Sequence, residues 1–177
     1  MKLEGNNLYL RELLDSDVKA EYLEWFKDDE VTRYLEVDGK SLTIQAVIDY
    51  IKSGRDSNKY FMYAICLKGS AKHIGNLKVG PIDCKHSVSD LVTVIGDRSE
   101  WGKGYATEAI KLGNKLAFEH HNIRKLSGGM YASNGGSIKA YTNAGWIVEG
   151  RLFNHYIVDG KYEDRVIVSC FNPSFEM

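Results

Sequence analysis

Residues 101 to 110, WGKGYATEAI, set two glycines around a lysine and run straight into good helix formers. Amides that meet no side chain, at the mouth of a helix, offer what a phosphate needs: several N–H donors and a positive dipole end. Spacing decides which phosphate. A nucleotide P-loop requires G-x-x-x-x-G-K followed by Ser or Thr. Here Gly104 follows Lys103, and Gly96 lies one position too far upstream. A dinucleotide fingerprint requires G-x-G-x-x-G, and Thr107 occupies its last position. Two readings remain from these residues. One is a strand-loop-helix for the pyrophosphate of coenzyme A, with Gly102 and Gly104 letting the amides of residues 101 to 106 turn inward. The other is a plain helix-entry turn.

Other chemistry finds little footing. His120 and His121 lack the glutamate of a zincin motif and any partner at ligand spacing, so no metal is expected. No local signature suggests a Ser-His-Asp arrangement. Eleven tyrosines are scattered without a basic face, which argues against a nucleic-acid platform. Lys and Arg number 23 against 24 Asp and Glu, so there is no general pull toward nucleic acid or anionic membrane. No apolar run approaches the ~20 residues of a membrane span, and MKLEGNNLYLREL lacks a secretory core. Three widely spaced cysteines without a CxxC fit a reducing cytoplasm, Cys66 and Cys170 as buried thiols in apolar runs. Nothing in the chain speaks to oligomeric state.

The elements that must position the loop follow from periodicity. NLYLREL alternates as a first strand. Asp15 offers an N-cap to a helix with Val18, Tyr22, Trp25 and Phe26 on one face. A second helix follows Ser41, with Ile44, Val47, Ile48 and Ile51 in register. YFMYAICL, HIGNLKV and VSDLVTVI read as three strands. The loop then opens the longest helix, starting near Lys103, with Ala106, Ala109, Ile110, Gly113, Leu116 and Ala117 as its buried stripe. KLSGGMYA reads as a strand and GGSIKAYTNAG as a helix ended by Gly145. WIVEGRLFNHYIV and KYEDRVIVSCF flank Asp159-Gly160, a strong hairpin signal. One α/β domain over residues 1–177 results, of α+β type, with a mixed sheet of about seven strands.

Two segments carry a family resemblance. WGKGYA resembles the Gln/Arg-x-x-Gly-x-Gly/Ala loop of the GNAT superfamily of CoA-dependent N-acyltransferases, with Gly104 and Ala106 in register and Trp101 departing at the first position. YASNGGSIKAYTNAGWIVEG is similar to that family's Asn-x-x-(Ala/Ser)-Ile-x-x-Tyr-x-x-x-Gly-Phe segment through Asn134, Ser137, Ile138, Tyr141 and Gly145, with Trp146 for Phe. The resemblance spans nearly the whole chain, points to the ribosomal-protein and spermidine branch, and implies a mostly antiparallel sheet flanked by helices.

The resemblance implies direct attack of an amine on the thioester of acetyl-CoA or another short acyl-CoA, in a ternary complex and without a metal. Amides of Trp101, Gly102, Lys103, Gly104, Tyr105 and Ala106 then hold the pyrophosphate, with Lys103 assisting or merely solvated. Asn134, with Ser137, meets the pantetheine arm, and Asn134 also suits a helix N-cap. A backbone N–H near Val94 and Ile95 receives the developing oxyanion, and Tyr141 protonates the thiolate. Asp90, on the strand face of Val92 and Val94, is the base, with His73, Glu30, Glu36 and water as rivals. The phrasing IGNLKVGPID with SDLVTVIGDRSEWGKGYATEAI looks like members acting on nucleotide-linked amino sugars in surface-polysaccharide pathways, the leading acceptor. A polyamine, drawn by DSD or KDDE, or a protein N-terminus is the alternative. A non-catalytic CoA-binding regulatory module is the alternative of another class.

Overall fold

The computed structural model describes residues 1–175; Glu176 and Met177, the end of the expected domain, lie outside the described residues. Strands β1 (Lys2–Glu4), β2 (Leu8–Glu12), β3 (Phe61–Leu67), β4 (His73–Asp83), β5 (Val88–Ile95), β6 (Lys125–Tyr131), β7 (Ile147–Val158) and β8 (Lys161–Phe171) form one sheet. Its order is β1-β2-β3-β4-β5-β6-β8-β7. The strand missing from the sequence reading is β1, whose three residues are too short to alternate visibly; pairing with β2 makes it a strand. At the other end Asp159 and Gly160 both take positive φ, 49° and 74°, which closes the β7–β8 hairpin as expected.

Helices α1 (Ala20–Lys27), α2 (Asp29–Thr32), α3 (Ile44–Asp56), α4 (Tyr105–His120) and α5 (Gly135–Asn143) cover the sheet. Asp15 does not cap α1. Asp15–Asp17 is a 3-10 turn, because the Asp17 carboxylate is taken by Arg11 at 2.6 and 2.7 Å and by the Leu14 amide at 2.8 Å. The helix expected after Ser41 is α3, capped by Thr43, whose side chain accepts from Ala46 N. The short α2 is capped by Asp28 and was not legible in KDDE.

The sheet buries apolar side chains on both faces. On one, the stripe Ala109, Ile110, Gly113, Leu116 and Ala117 of α4 packs on Leu10, Ile65, Leu77 and Leu91. On the other, Val18 and Tyr22 near α1 and Val47 and Ile51 of α3 pack on Tyr9, Ala64 and Cys66. Each such fully buried aliphatic chain contributes about 1.5–3 kcal/mol. A polar bridge crosses the first core. The Trp146 indole donates to Asn114 Oδ1 at 2.9 Å, and Asn114 Nδ2 donates to the Ala144 carbonyl. That bridge ties the end of α5 to α4 and sets Trp146 edge-on to Tyr141.

Candidate active site

Every neighbouring strand pair in the sheet is antiparallel except β5–β6, and this pair is brief. Val88, Ser89 and Asp90 pair with Lys125, Leu126 and Ser127, after which β5 has no β6 partner. Beyond Asp90 the edge of β5 is therefore free to serve something other than the sheet. The Leu91 carbonyl already does so, accepting from the Tyr141 hydroxyl at 2.7 Å. The Ile95 carbonyl accepts from the Trp101 indole at 2.7 Å. With a period of two, Leu91, Thr93 and Ile95 turn their backbone groups toward this opening. Val94 does not: a β-carbon on Gly75 of β4 would collide with the Val94 carbonyl, so that backbone faces β4. Of the two amides expected to meet the oxyanion, that of Ile95 faces the open edge, and Val94 contributes its side chain to the cleft on the other face.

Next to the open edge lies the loop. Gly102 and Gly104 take φ of 75° and 82°, the left-handed region that side chains disfavour. α4 begins at Tyr105, two residues later than expected, with Gly104 as an N-cap that offers no side chain. The first bond into the helix runs from Glu108 N to the Gly104 carbonyl. Among the described residues, the amides of Gly102, Lys103, Gly104, Tyr105, Ala106 and Thr107 find no backbone acceptor. Unsatisfied amides at a helix mouth fit a diphosphate. Trp101, in place of Gln or Arg, braces the loop against β5 and lies within 5.6 Å of the Arg98 guanidinium; its amide, expected in the cradle, is instead taken by the Arg98 carbonyl at 3.1 Å. Lys103 is held by Glu100 at 2.7 Å, so its charge is already paired.

Tyr141 is buried, and burial pushes its phenol up to about 12. Asn134 caps α5, its Oδ1 accepting from Ser137 N at 3.1 Å. That geometry occupies the Ser137 amide and the Asn134 oxygen, leaving the Asn134 amide group as the available donor.

The other face of β5 presents Asp90, Val92 and Val94, as period two required. A cleft of about 430 Å³ opens there between α1, the loop after α2, α3 and strands β3 to β5. Phe26, Leu42, Val47, Met62, Val92 and Val94 give it an apolar wall, and Glu36, Asn76 and Lys78 also line it. The candidate bases separate. Glu36 lines the cleft, whereas Glu30 lies exposed on α2 outside its lining. His73 is also outside: its Nε2 lies 2.8 Å from the Gly75 carbonyl and 3.0 Å from Asn76 Oδ1, within ring distance of Trp25. Burial lowers the His73 pKa, so its neutral form positions Asn76. Asp90, the last β5 residue paired with β6, stands exposed where the strands part and, like Glu30 and His73, is not part of the cleft lining. Desolvation raises its carboxyl, and Lys78 and Arg165 pull it back. Asn76 escaped the sequence reading; its only signal is an asparagine inside the apolar run IGNLKV.

A sheet that opens at its single parallel junction, with an amide cradle on one side and a cleft on the other, brings a carrier and a second small molecule together from opposite faces. CoA-dependent acyltransferases need that arrangement. A model described as an acetyltransferase (GNAT) domain matches residues 7–147, and the chain belongs to that family. It is an N-acetyltransferase whose acyl donor is acetyl-CoA. The probable N-acetyltransferase YjcK of Bacillus subtilis (strain 168) is 22% identical over 183 residues, covering 98% of this chain and 99% of that protein. Among solved structures, spermidine N-acetyltransferase from Vibrio cholerae in complex with CoA and spermine superposes with a TM-score of 0.84 at 17% identity, over 94% of this chain and 96% of that one. Ribosomal-protein-S5-alanine acetyltransferase from Vibrio fischeri gives a TM-score of 0.84 at 17% identity, over all of both chains. No described helix is long and apolar enough to cross a membrane.

Proposed function

We propose that the chain transfers acetyl from acetyl-CoA to the single primary amine of a small acceptor, by direct attack. The observation that carries this is the run of amides from Gly102 to Thr107 without backbone acceptors, beside the unpaired edge of β5. Those amides and the dipole of α4 hold the diphosphate, with the Asn134 amide group as a donor to the arm. Acetyl-CoA supplies an activated thioester carbonyl. Held beside the acceptor, it turns a bimolecular encounter into an effectively unimolecular step. The Ile95 amide receives the negative charge that develops on the carbonyl oxygen. The amine forms the new N–C bond as the C–S bond breaks, and its surplus proton goes to Asp90 or, through water, to solvent. Asp90 is open to receive it, being exposed at the point where β5 and β6 part.

Tyr141 faces the departing sulfur. A phenol near 12 and a thiol near 8.5 differ enough to make outright proton transfer uphill by about 4–5 kcal/mol. Tyr141 therefore turns its one hydroxyl proton from the Leu91 carbonyl to the thiolate as a hydrogen bond, and the proton that neutralises sulfur follows from solvent.

For the acceptor, an amino sugar on a nucleotide remains the reading drawn from sequence phrasing. A single amine is supported by the cleft, whose one lining carboxylate is Glu36. A polyamine is the second reading, favoured by the spermine bound to the Vibrio cholerae relative. Its repeated ammonium groups ask for several carboxylates. Thiol release from acetyl-CoA decides between them, with amino-sugar nucleotides, spermidine and peptide amines as acceptors. We expect a single-amine compound to lead. Spermidine in front by tenfold reverses the choice, and acetyl-CoA binding without turnover on any amine favours a regulatory module.

A further inference from the structure

We infer that the acceptor carries its amine on an apolar body with a neighbouring oxygen acceptor, and that Asn76 reads that oxygen. This rests on the proposed transfer to a single amine and names the class of that acceptor. The amine-side cleft of about 430 Å³ is walled by Phe26, Leu42, Val47, Met62, Val92 and Val94. Such a wall gains by burying hydrocarbon and leaves a polyhydroxylated or polycationic ligand without hydrogen-bond partners.

Besides the hydroxyls of Tyr22 and Tyr50, three polar side chains interrupt it, and each has a distinct state. Lys78 is occupied: its Nζ donates to the Tyr50 hydroxyl at 3.2 Å and lies 5.9 and 5.6 Å from the Tyr50 and Tyr60 ring centres. Glu36 has no ion-pair partner among the described residues, which suits an ammonium. Asn76 is 5% exposed; its Oδ1 faces His73, while its Nδ2 is buried near the Tyr22 hydroxyl and completes no hydrogen bond of normal geometry with any described residue. A buried donor left empty is costly, so a ligand oxygen that fills it gains affinity. Hydrophobic α-amino amides and deoxygenated amino sugars share this chemistry.

Calorimetric binding to the CoA-saturated protein tests the inference independently of turnover. Phenylalaninamide should bind at least tenfold tighter than glycinamide or spermidine, and several-fold tighter than phenethylamine, which lacks the oxygen. Asn76→Ala should remove the advantage over phenethylamine and leave phenethylamine within twofold. Val92→Asn, on an exposed strand position, should weaken both aromatic amines by about tenfold and serves if Asn76→Ala does not fold. Glycinamide or spermidine binding as well as phenylalaninamide overturns the inference, as does no measurable binding of any amine. Hexanoyl-CoA binding tenfold tighter than acetyl-CoA also overturns it, because the cleft would then house an acyl chain. Absence of thiol release alongside the expected ranking would instead count against the catalytic reading alone.

Discussion

The role proposed for Tyr141 asks its single hydroxyl proton to leave a structural acceptor for a chemical one. Its hydroxyl closes a gap in the sheet by donating to Leu91, and burial keeps that proton on the oxygen throughout the working pH range. The same donor is what a departing thiolate needs. Tyr141→Phe should lower kcat by about tenfold to a hundredfold, the worth of one hydrogen bond to a charged partner. The KM for acetyl-CoA should stay within threefold, since the grip on the diphosphate lies elsewhere. Steady-state rates at saturating acceptor measure this; an unchanged kcat removes Tyr141 from the reaction.

Among elements, the start of α4 carries the proposed diphosphate site, because it concentrates unpaired amides. Gly104 adopts a φ of 82° with open space around it, so a side chain there suffers from backbone conformation and not from collision. Gly104→Val should therefore shift the loop rather than unfold the protein. A strained left-handed residue costs about 1–2 kcal/mol. Misdirected amides should raise the KM for acetyl-CoA about tenfold or more, with the acceptor KM little changed. A variant that binds acetyl-CoA like the parent would show that the loop is only a helix entry.

At the scale of the molecule, the sheet must hold two faces in register while one junction stays open. Glu108 of α4 helps by clasping the β1–β2 turn, accepting from Asn7 N at 2.7 Å, Asn7 Nδ2 at 2.9 Å and Leu8 N at 3.0 Å. Burial alone would raise its carboxyl, but the bonds from Asn7 and Leu8 outweigh burial and lower it below its ordinary value of 4.5. A lowered folded value means the stabilisation is complete above about pH 4.5 and disappears as pH falls through the folded value. Glu108→Ala should cost about 2 kcal/mol at pH 7. Urea midpoints should show the gap between parent and variant closing in acid; a gap independent of pH contradicts the ionic character of the clasp.

Local features were legible in the chain. The Asp159-Gly160 turn, the α4 stripe and the glycine loop depend on neighbours within a few residues, so residue type and spacing suffice to reveal them. Trp146 resembled a conservative aromatic, yet its indole needs Asn114, thirty-two positions away. His73 offered a base by type, and burial beside Trp25 and Asn76 made it a positioning residue. The choice of Ile95 over Val94 also lay outside periodicity. Side chains alternate by sequence alone, but which alternate set of amides faces an opening depends on which strand pairs on the other side. By itself the sequence determined the longer elements, the loop and the family; strand pairing and long-range burial decided the short β1 and α2 and which polar groups stay unpaired.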